Sequence, residues 1–274
     1  MKASTLDALA RWCGNARMQG LLARGMLYCQ YLMGIGSGGA TETSGERALI
    51  EPLRRIAAGG RAPRVFDVGA NQGQFARLLA GEMAGLPLEL HAFEPARASY
   101  EALSRNAAGI AGAVLNQCGL GAAAGEFTLY YDRPGSGLAS LSKRSLAHAG
   151  IAFEASEPVR LDTLDAYCAA RGIETIDLLK IDVEGHELDV LHGGEGLFAR
   201  RAVAMVSFEF GGCNIDTRTY FRDFHAFFTA RGLRRLFRLT PAGFLVPIGR
   251  YQEIHEQFRT TNFLALRDEP DDED

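Results

Sequence analysis

Four groups of residues in this chain have the types and spacing to do chemistry. Asp67-x-Gly69-x-Asn71-x-Gly73 follows a short apolar run and precedes Gln74, Phe75, Leu78 and Leu79 at helical spacing. Strand, glycine turn and helix in that order expose backbone N–H groups at a helix start, a cradle for a nucleotide-like ligand. Glu94, followed by Pro95, lies where a second strand would end, at a position from which a carboxylate can accept from both hydroxyls of a ribose. Asp182-Val-Glu-Gly-His-Glu187 closes a third apolar run, and Glu209 closes a fourth. Open α/β sheets bind ligands at such carboxyl ends.

The loop departs from the G-x-G-x-x-G of dinucleotide enzymes. Asn71 replaces the middle glycine, and Asn is the non-glycine residue that best tolerates left-handed backbone. Asp67, two residues before the first glycine, is unwelcome beside a pyrophosphate but suits an ammonium group. S-adenosylmethionine carries an ammonium, together with a carboxylate that backbone N–H groups can hold. The cofactor set expected on this basis is Asp67, Gly69, Ala70, Asn71, Gly73, Gln74, Phe75, Glu94, Pro95 and Asp182. Gln117 and Cys118, at the end of a third strand, are placed beside the adenine by topology alone. An NAD-dependent oxidoreductase is the main alternative, and a non-catalytic binder of the same cofactor is a second.

The elements that must position these residues alternate strand and helix from residue 64 onward, the pattern of a parallel sheet covered on both faces. Strands are expected at 64–68, 88–93, 113–117, 176–181, 203–208, 233–239 and 262–267. Helices are expected as one or two over 4–33, from about Gly45 to Ala58, at 73–84, from 94–95 to about 108, from Asp162-Thr-Leu-Asp165 to a stop at Gly172, at 186–199 and at 217–231. The last helix carries Tyr220, Phe221, Phe224, Phe227 and Phe228 as a core-facing stripe. Residues 119–160 interrupt the alternation with a strand at 126–131, a Gly/Ser-rich loop and a return at 158–161. An insertion of that length is expected to face the substrate. Ser136 to Ser142, Lys143, Arg144 and His148 are its candidate contacts, with an exposed polar loop as the plain alternative. Residues 1–60 read as an N-terminal helical extension, 61–268 as the main domain and 269–274 as a solvated acidic tail.

The sets Val65–Gly73, His91-Ala-Phe-Glu-Pro95, Leu161-Asp-Thr-Leu-Asp165 and Asp177-Leu-Leu-Lys-Ile-Asp-Val-Glu-Gly-His-Glu187, in this order, resemble the FkbM family of class I methyltransferases. The resemblance covers about residues 45–267. It implies a Rossmann-like, seven-stranded, mostly parallel α/β sheet with its last strand antiparallel, the segments 233–239 and 262–267 forming the closing hairpin. It also implies S-adenosylmethionine-dependent O-methylation, often of a sugar hydroxyl in a glycan, glycolipid or natural product.

Methyl transfer from a sulfonium releases a neutral leaving group, so the protein's work is alignment plus removal of the hydroxyl proton. His186 is the favoured base because an imidazole titrates near neutrality. Asp182 and Glu209 are the other catalytic candidates. Asp182, Glu209 and Asn214 could instead hold magnesium, a reading not favoured over a metal-free site.

Composition excludes other classes. The 274 residues carry a net charge of −4, against nucleic-acid binding. Arg234, Arg235 and Arg238, the densest basic cluster, read as the wet face of a strand. Five scattered cysteines without a C-x-x-C form neither a disulfide framework nor a structural zinc site, which with no secretory leader points to the cytoplasm. Residues 18–35 are too interrupted to span a bilayer. They are expected to cover the domain as a helix, with peripheral membrane contact or homodimerisation as alternatives. The acceptor is expected to be a small molecule or glycan.

Overall fold

A computed structural model describes residues 3–41 and 43–268; the acidic tail at 269–274 lies outside the described residues. In chain order the elements are α1 (Ala3–Cys13), α2 (Ala16–Leu32), a 3-10 turn (Glu46–Leu49), α3 (Ile50–Ala58), β1 (Arg64–Val68), α4 (Gln74–Glu82), β2 (Glu89–Phe93), α5 (Arg97–Ala107), β3 (Ala113–Asn116) and β4 (Gly119–Leu120). There follow β5 (Gly125–Tyr131), β6 (Ala155–Asp162), α6 (Leu164–Arg171), β7 (Ile176–Ile181), α7 (Glu187–His192), α8 (Glu195–Ala199), β8 (Val203–Phe210), α9 (Cys213–Thr217), α10 (Phe221–Ala230), β9 (Arg235–Leu239), β10 (Leu245–Ile248) and β11 (Thr261–Leu266).

The main sheet runs β3-β2-β1-β7-β8-β11-β9-β10. β1, β2, β3, β7 and β8 pair in parallel, and β11 is antiparallel to both β8 and β9. The sheet has eight strands where seven were expected. The additional one, β10, pairs antiparallel to β9 at the sheet edge. Its Pro247 hides it in the sequence, because proline cannot donate to a ladder and is tolerated in strands mainly at edges.

Both faces of the central strands are dry. Every residue of β7 is buried. Phe66, Leu179 and Val206 enter one apolar cluster while Val65, Leu178 and Met205 enter another, as the two-residue period of a strand requires. The α10 stripe packs on the first of these layers, with Phe224 stacked on Phe208 at 4.8 Å and 11°. The expected single helix at 186–199 is two, broken at Gly193-Gly194. A Cβ on Gly193 would lie 2.1 Å from the Gly121 carbonyl oxygen, so the chain turns there to pass the insertion.

The insertion folds as a second sheet, β4-β6-β5, with β5 and β6 antiparallel. Of the extension, α3 packs into the core through Ile50, Leu53 and Ala57, but the helix expected at 18–35 does not cover the domain. No residue of α2 is buried. It touches the body only where its end meets it, through Gln30, Met33 and the glycine-rich turn beyond.

Candidate active site

The carboxyl ends of β1, β2, β7 and β8 open into a cleft of two adjoining chambers. The larger, about 450 Å³, is lined by Asp67, Gly69, Gln74 and Phe75 from the first loop, by Lys180, Asp182 and Glu184 after β7, and by Glu209 and Cys213 after β8. The smaller, about 90 Å³, is lined by Glu94, Pro95, Gly119, Leu120, Leu161, Val183 and His186. Gly69, Asn71, Gly137, Asp182 and Glu184 belong to both and mark the junction.

The loop after β1 is left-handed at Gly69, Asn71 and Gly73, with φ of 82°, 46° and 85°. Gly69 is fixed by a second constraint. A Cβ there would stand 1.8 Å from the Asp182 carbonyl oxygen, so only glycine lets the ends of β1 and β7 approach this closely. Glu94, 7 % exposed, accepts from Asn71 N and Ala96 N, each at 2.8 Å. It thereby ties the loop to the start of α5. Burial pushes its carboxyl up to about 7, against the pull of those two donors.

Behind the loop sits a charge network that the sequence reading did not anticipate. Lys180 Nζ lies 3.4 Å from Asp67, 3.5 Å from Asp182 and 3.7 Å from Glu46 of the 3-10 turn. Burial alone would lower the lysine's pKa, but its three carboxylate neighbours raise it above its ordinary value. Asp67 is fully buried, and neither of its oxygens finds hydrogen-bond geometry among the described residues. The available signal was a lysine inside a fully buried strand, which needs buried partners to be stable there.

The acids beyond β7 divide by role. Glu187, in the first turn of α7, braces the loop before that helix: its Oε1 accepts from Val183 N and Gly185 N, each at 3.1 Å. Glu184, left-handed at φ 55°, pairs with Arg144 of the insertion. Burial and then Asp182 push its carboxyl to about 8. Glu209 is driven well above its ordinary range by burial, and next by Asp182, Glu184 and Glu187.

His186 lines the smaller chamber, not the larger, and both its ring nitrogens are engaged. Nδ1 lies 2.7 Å from Asp189 and Nε2 lies 3.0 Å from Ser142 Oγ. Gln117 is exposed and belongs to a separate surface hollow with Arg97 and Tyr100. Cys118 is buried in the core. The wall expected from those two residues is supplied by their successors, Gly119 and Leu120, because β3 ends one residue early at Asn116.

Within the insertion, Gly137, Leu138 and Arg144 line the larger chamber, while Lys143 and His148 are exposed. Ser140 Oγ donates to the Glu184 carbonyl at 2.8 Å and Gln72 Nε2 to the Gly135 carbonyl at 3.0 Å, so the insertion is sewn over the cleft. Gly38, Gly39, Ala40 and Thr41 of the extension complete the wall of the larger chamber.

The magnesium trio is not assembled. Asn214 has its side chain engaged locally, with Oδ1 accepting from Gly211 N and Nδ2 donating to Thr219 Oγ1, at 2.8 Å each. Among the described residues, Glu184, Glu209 and Cys213 bring one ligand atom each within 4.8 Å of one another. A thiol is a poor donor for a hard cation, and Arg144 already neutralises Glu184. These residues do not fit magnesium.

The profile described as the methyltransferase FkbM domain matches residues 67–236, more than half of the chain. The protein belongs to the FkbM methyltransferase family. The methyltransferase sdnD of Sordaria araneosa is 35% identical over 157 residues, which span 48% of this chain and 60% of sdnD. The chain therefore spans well under two thirds of that relative. Among solved structures, methyltransferase FkbM from Methylobacillus flagellatus KT aligns with a TM-score of 0.45 and 13% identity, covering 74% of this chain and 43% of the other. The METTL16 methyltransferase domain aligns with a TM-score of 0.42 and 10% identity, over 80% of this chain and 65% of that one. Membership in the FkbM methyltransferase family favours the methyltransferase reading over the NAD-dependent oxidoreductase alternative.

Proposed function

We propose that this FkbM-family chain is an S-adenosylmethionine-dependent O-methyltransferase that methylates a hydroxyl of a sugar or sugar-bearing natural product. The observation that carries the reading is Asp182, a carboxylate at the junction of the two chambers with 40% of its side chain exposed and Lys180 3.5 Å behind it.

The cleft fits the donor. Glu94 keeps lone pairs beyond its two backbone partners for ribose hydroxyls. Gly119, Leu120 and Leu161 give the smaller chamber an apolar wall for adenine. Gln74 and Phe75, in the first turn of α4 and in the wall of the larger chamber, offer backbone N–H groups to the methionine carboxylate, and the buried acid Asp67 supports its ammonium. When bound, the donor supplies an electrophilic methyl group.

The chain's own residues then have three tasks. Asp182 accepts the proton of the acceptor hydroxyl as the new C–O bond forms, with Lys180 holding the carboxylate in place. Glu209, kept protonated by its surroundings, donates a hydrogen bond to a neighbouring acceptor oxygen. The insertion, pinned through Arg144, Ser140 and Ser142, excludes water. His186, held between Asp189 and Ser142, positions that insertion and is not the base.

The test is a methyl-transfer screen with isotopically labelled donor against glycans, nucleotide sugars and glycosylated natural products. Asp182→Asn is expected to lower turnover by about 10²–10⁴-fold while calorimetry shows unchanged donor binding. His186→Ala should retain turnover within tenfold. Donor binding without transfer to any hydroxyl, or a dead His186→Ala with an active Asp182→Asn, would sink the assignment.

A further inference from the structure

The extension carries a surface that the methyl-transfer site does not use. Eleven of the seventeen exposed large apolar side chains in the described residues lie in α1, α2 and the residue after them. Trp12 is 65% exposed, Met26 56%, Tyr28 66% and Leu32 57%. Burial of large apolar side chains is favourable, so a face like this is costly to leave in water.

The face is ordered by the helix. Met18, Leu22, Met26 and Cys29 of α2, with Met33 at its C-cap, recur at three- and four-residue spacing and form one stripe. Arg17 and Arg24, seven apart, form a parallel stripe along its flank. From residue 8 to residue 41 there is no acid, although the chain as a whole is net negative at −4. Arg11, Arg17 and Arg24 thus make this the locally cationic part of an anionic protein.

Nor is the helix a loose tail. Gln30 Nε2 donates to Gln257 at 3.0 Å and Arg259 donates to Gln30 at 2.7 Å. Gly36 N and Gly38 N both donate to the Thr260 carbonyl, at 2.9 and 3.1 Å. A Cβ on Gly34 would stand 2.0 Å from the Leu239 carbonyl oxygen, so the turn is seated tightly on β9. The body therefore holds α2 at its carboxyl end and projects the rest.

We propose that α1 and α2 dock on the surface of an anionic lipid bilayer. The apolar stripe enters the interface, the arginines reach the headgroup phosphates along its edge, and Trp12 and Tyr28 sit at headgroup depth. No helix among the described residues is long and apolar enough to cross a membrane, so the helices lie on it. A second copy of the chain is the competing occupant. A second copy would bring the same cationic, acid-free stretch, whereas bilayer phosphates complement its charge. Docking stands apart from the catalytic reading, since none of these side chains lines the cleft.

The experiment is co-sedimentation of the full chain with vesicles of phosphatidylcholine alone or mixed with phosphatidylglycerol, at low and high salt. Binding is expected to the anionic vesicles only and to weaken as salt rises. Arg17→Gln with Arg24→Gln should weaken it roughly thirtyfold, and Leu22→Glu with Met26→Glu should abolish it. All four positions are exposed, so thermal midpoints should match the wild type. Failure of the wild type to bind anionic vesicles, or undiminished binding by Leu22→Glu/Met26→Glu, overturns the proposal. So does a dimer by light scattering that this double variant dissociates, if vesicles do not bind.

Discussion

Glu94 joins two jobs in one carboxylate. It ties the left-handed loop to α5 through Asn71 N and Ala96 N, and it faces the smaller chamber. Glu94→Gln keeps one acceptor oxygen but sets an amide against a backbone donor. The expected result is a donor dissociation constant raised about 10–100-fold, the range of one charge-assisted hydrogen bond, read by calorimetry. Because burial holds the wild-type carboxyl at about 7, donor affinity should rise between pH 6 and 8 in the wild type and stay flat in Glu94→Gln. A flat wild-type profile would remove Glu94 from the donor site. Both Glu94 and Asp67 were legible in sequence from their distance to the glycines. The Lys180 network was not, because it joins Glu46 to β1 and β7 across 134 residues of chain, and no local pattern encodes that contact.

At the scale of elements, the insertion is the part most dependent on a few contacts. Arg144 is almost fully buried and holds Glu184 and Asp216 together. Arg144→Ala leaves Glu184 buried without its cation, an event that costs about 3–5 kcal/mol when the stranded group stays charged. Glu184 has an escape, since its carboxyl already sits at about 8 and loss of the arginine raises it further. Destabilisation measured by urea unfolding should therefore be smaller at pH 6 than at pH 9. Equal losses at both would mean that Glu184 is not charged in the parent site. Alternating strands and helices, and the return of β6 on β5, were readable from apolar periodicity and turn residues. The edge strand β10 and the break between α7 and α8 were not. The first is masked by Pro247, and the second is imposed by Gly121 arriving from a distant segment.

Across the whole molecule the buried acids give stability a characteristic pH dependence. Burial raises the carboxyls of Glu46, Asp67, Glu94, Glu184, Glu187 and Glu209. Between their unfolded values near 4.5 and folded values such as about 7 for Glu94 and about 8 for Glu184, the native state holds more protons than the unfolded chain. Unfolding free energy must then fall as pH rises through that window, and the penalty is absent below it. Urea midpoints at pH 5.5, 7 and 8.5 without added ligand should decrease in that order. A rising series would mean that the cleft's acids are ionised and compensated.

The wall formed by Gly38–Thr41 and Thr260 has a consequence for how such enzymes diversify. The segment matched by the family profile, residues 67–236, contains the glycine loop after β1, Glu94 and Asp182, to which the proposed function assigns the donor and the proton. The remaining boundary of the larger chamber arrives from chain on either side of it. Transplanting 67–236 alone would move the methylation chemistry and leave the recipient cavity open on one flank. Exchanging the turns at 34–41 and 258–260 would instead reshape what the cavity admits while the reaction stayed intact. Chemistry and selectivity are in this way encoded in separable stretches of one chain, and the two can be mutated, or evolve, on different schedules.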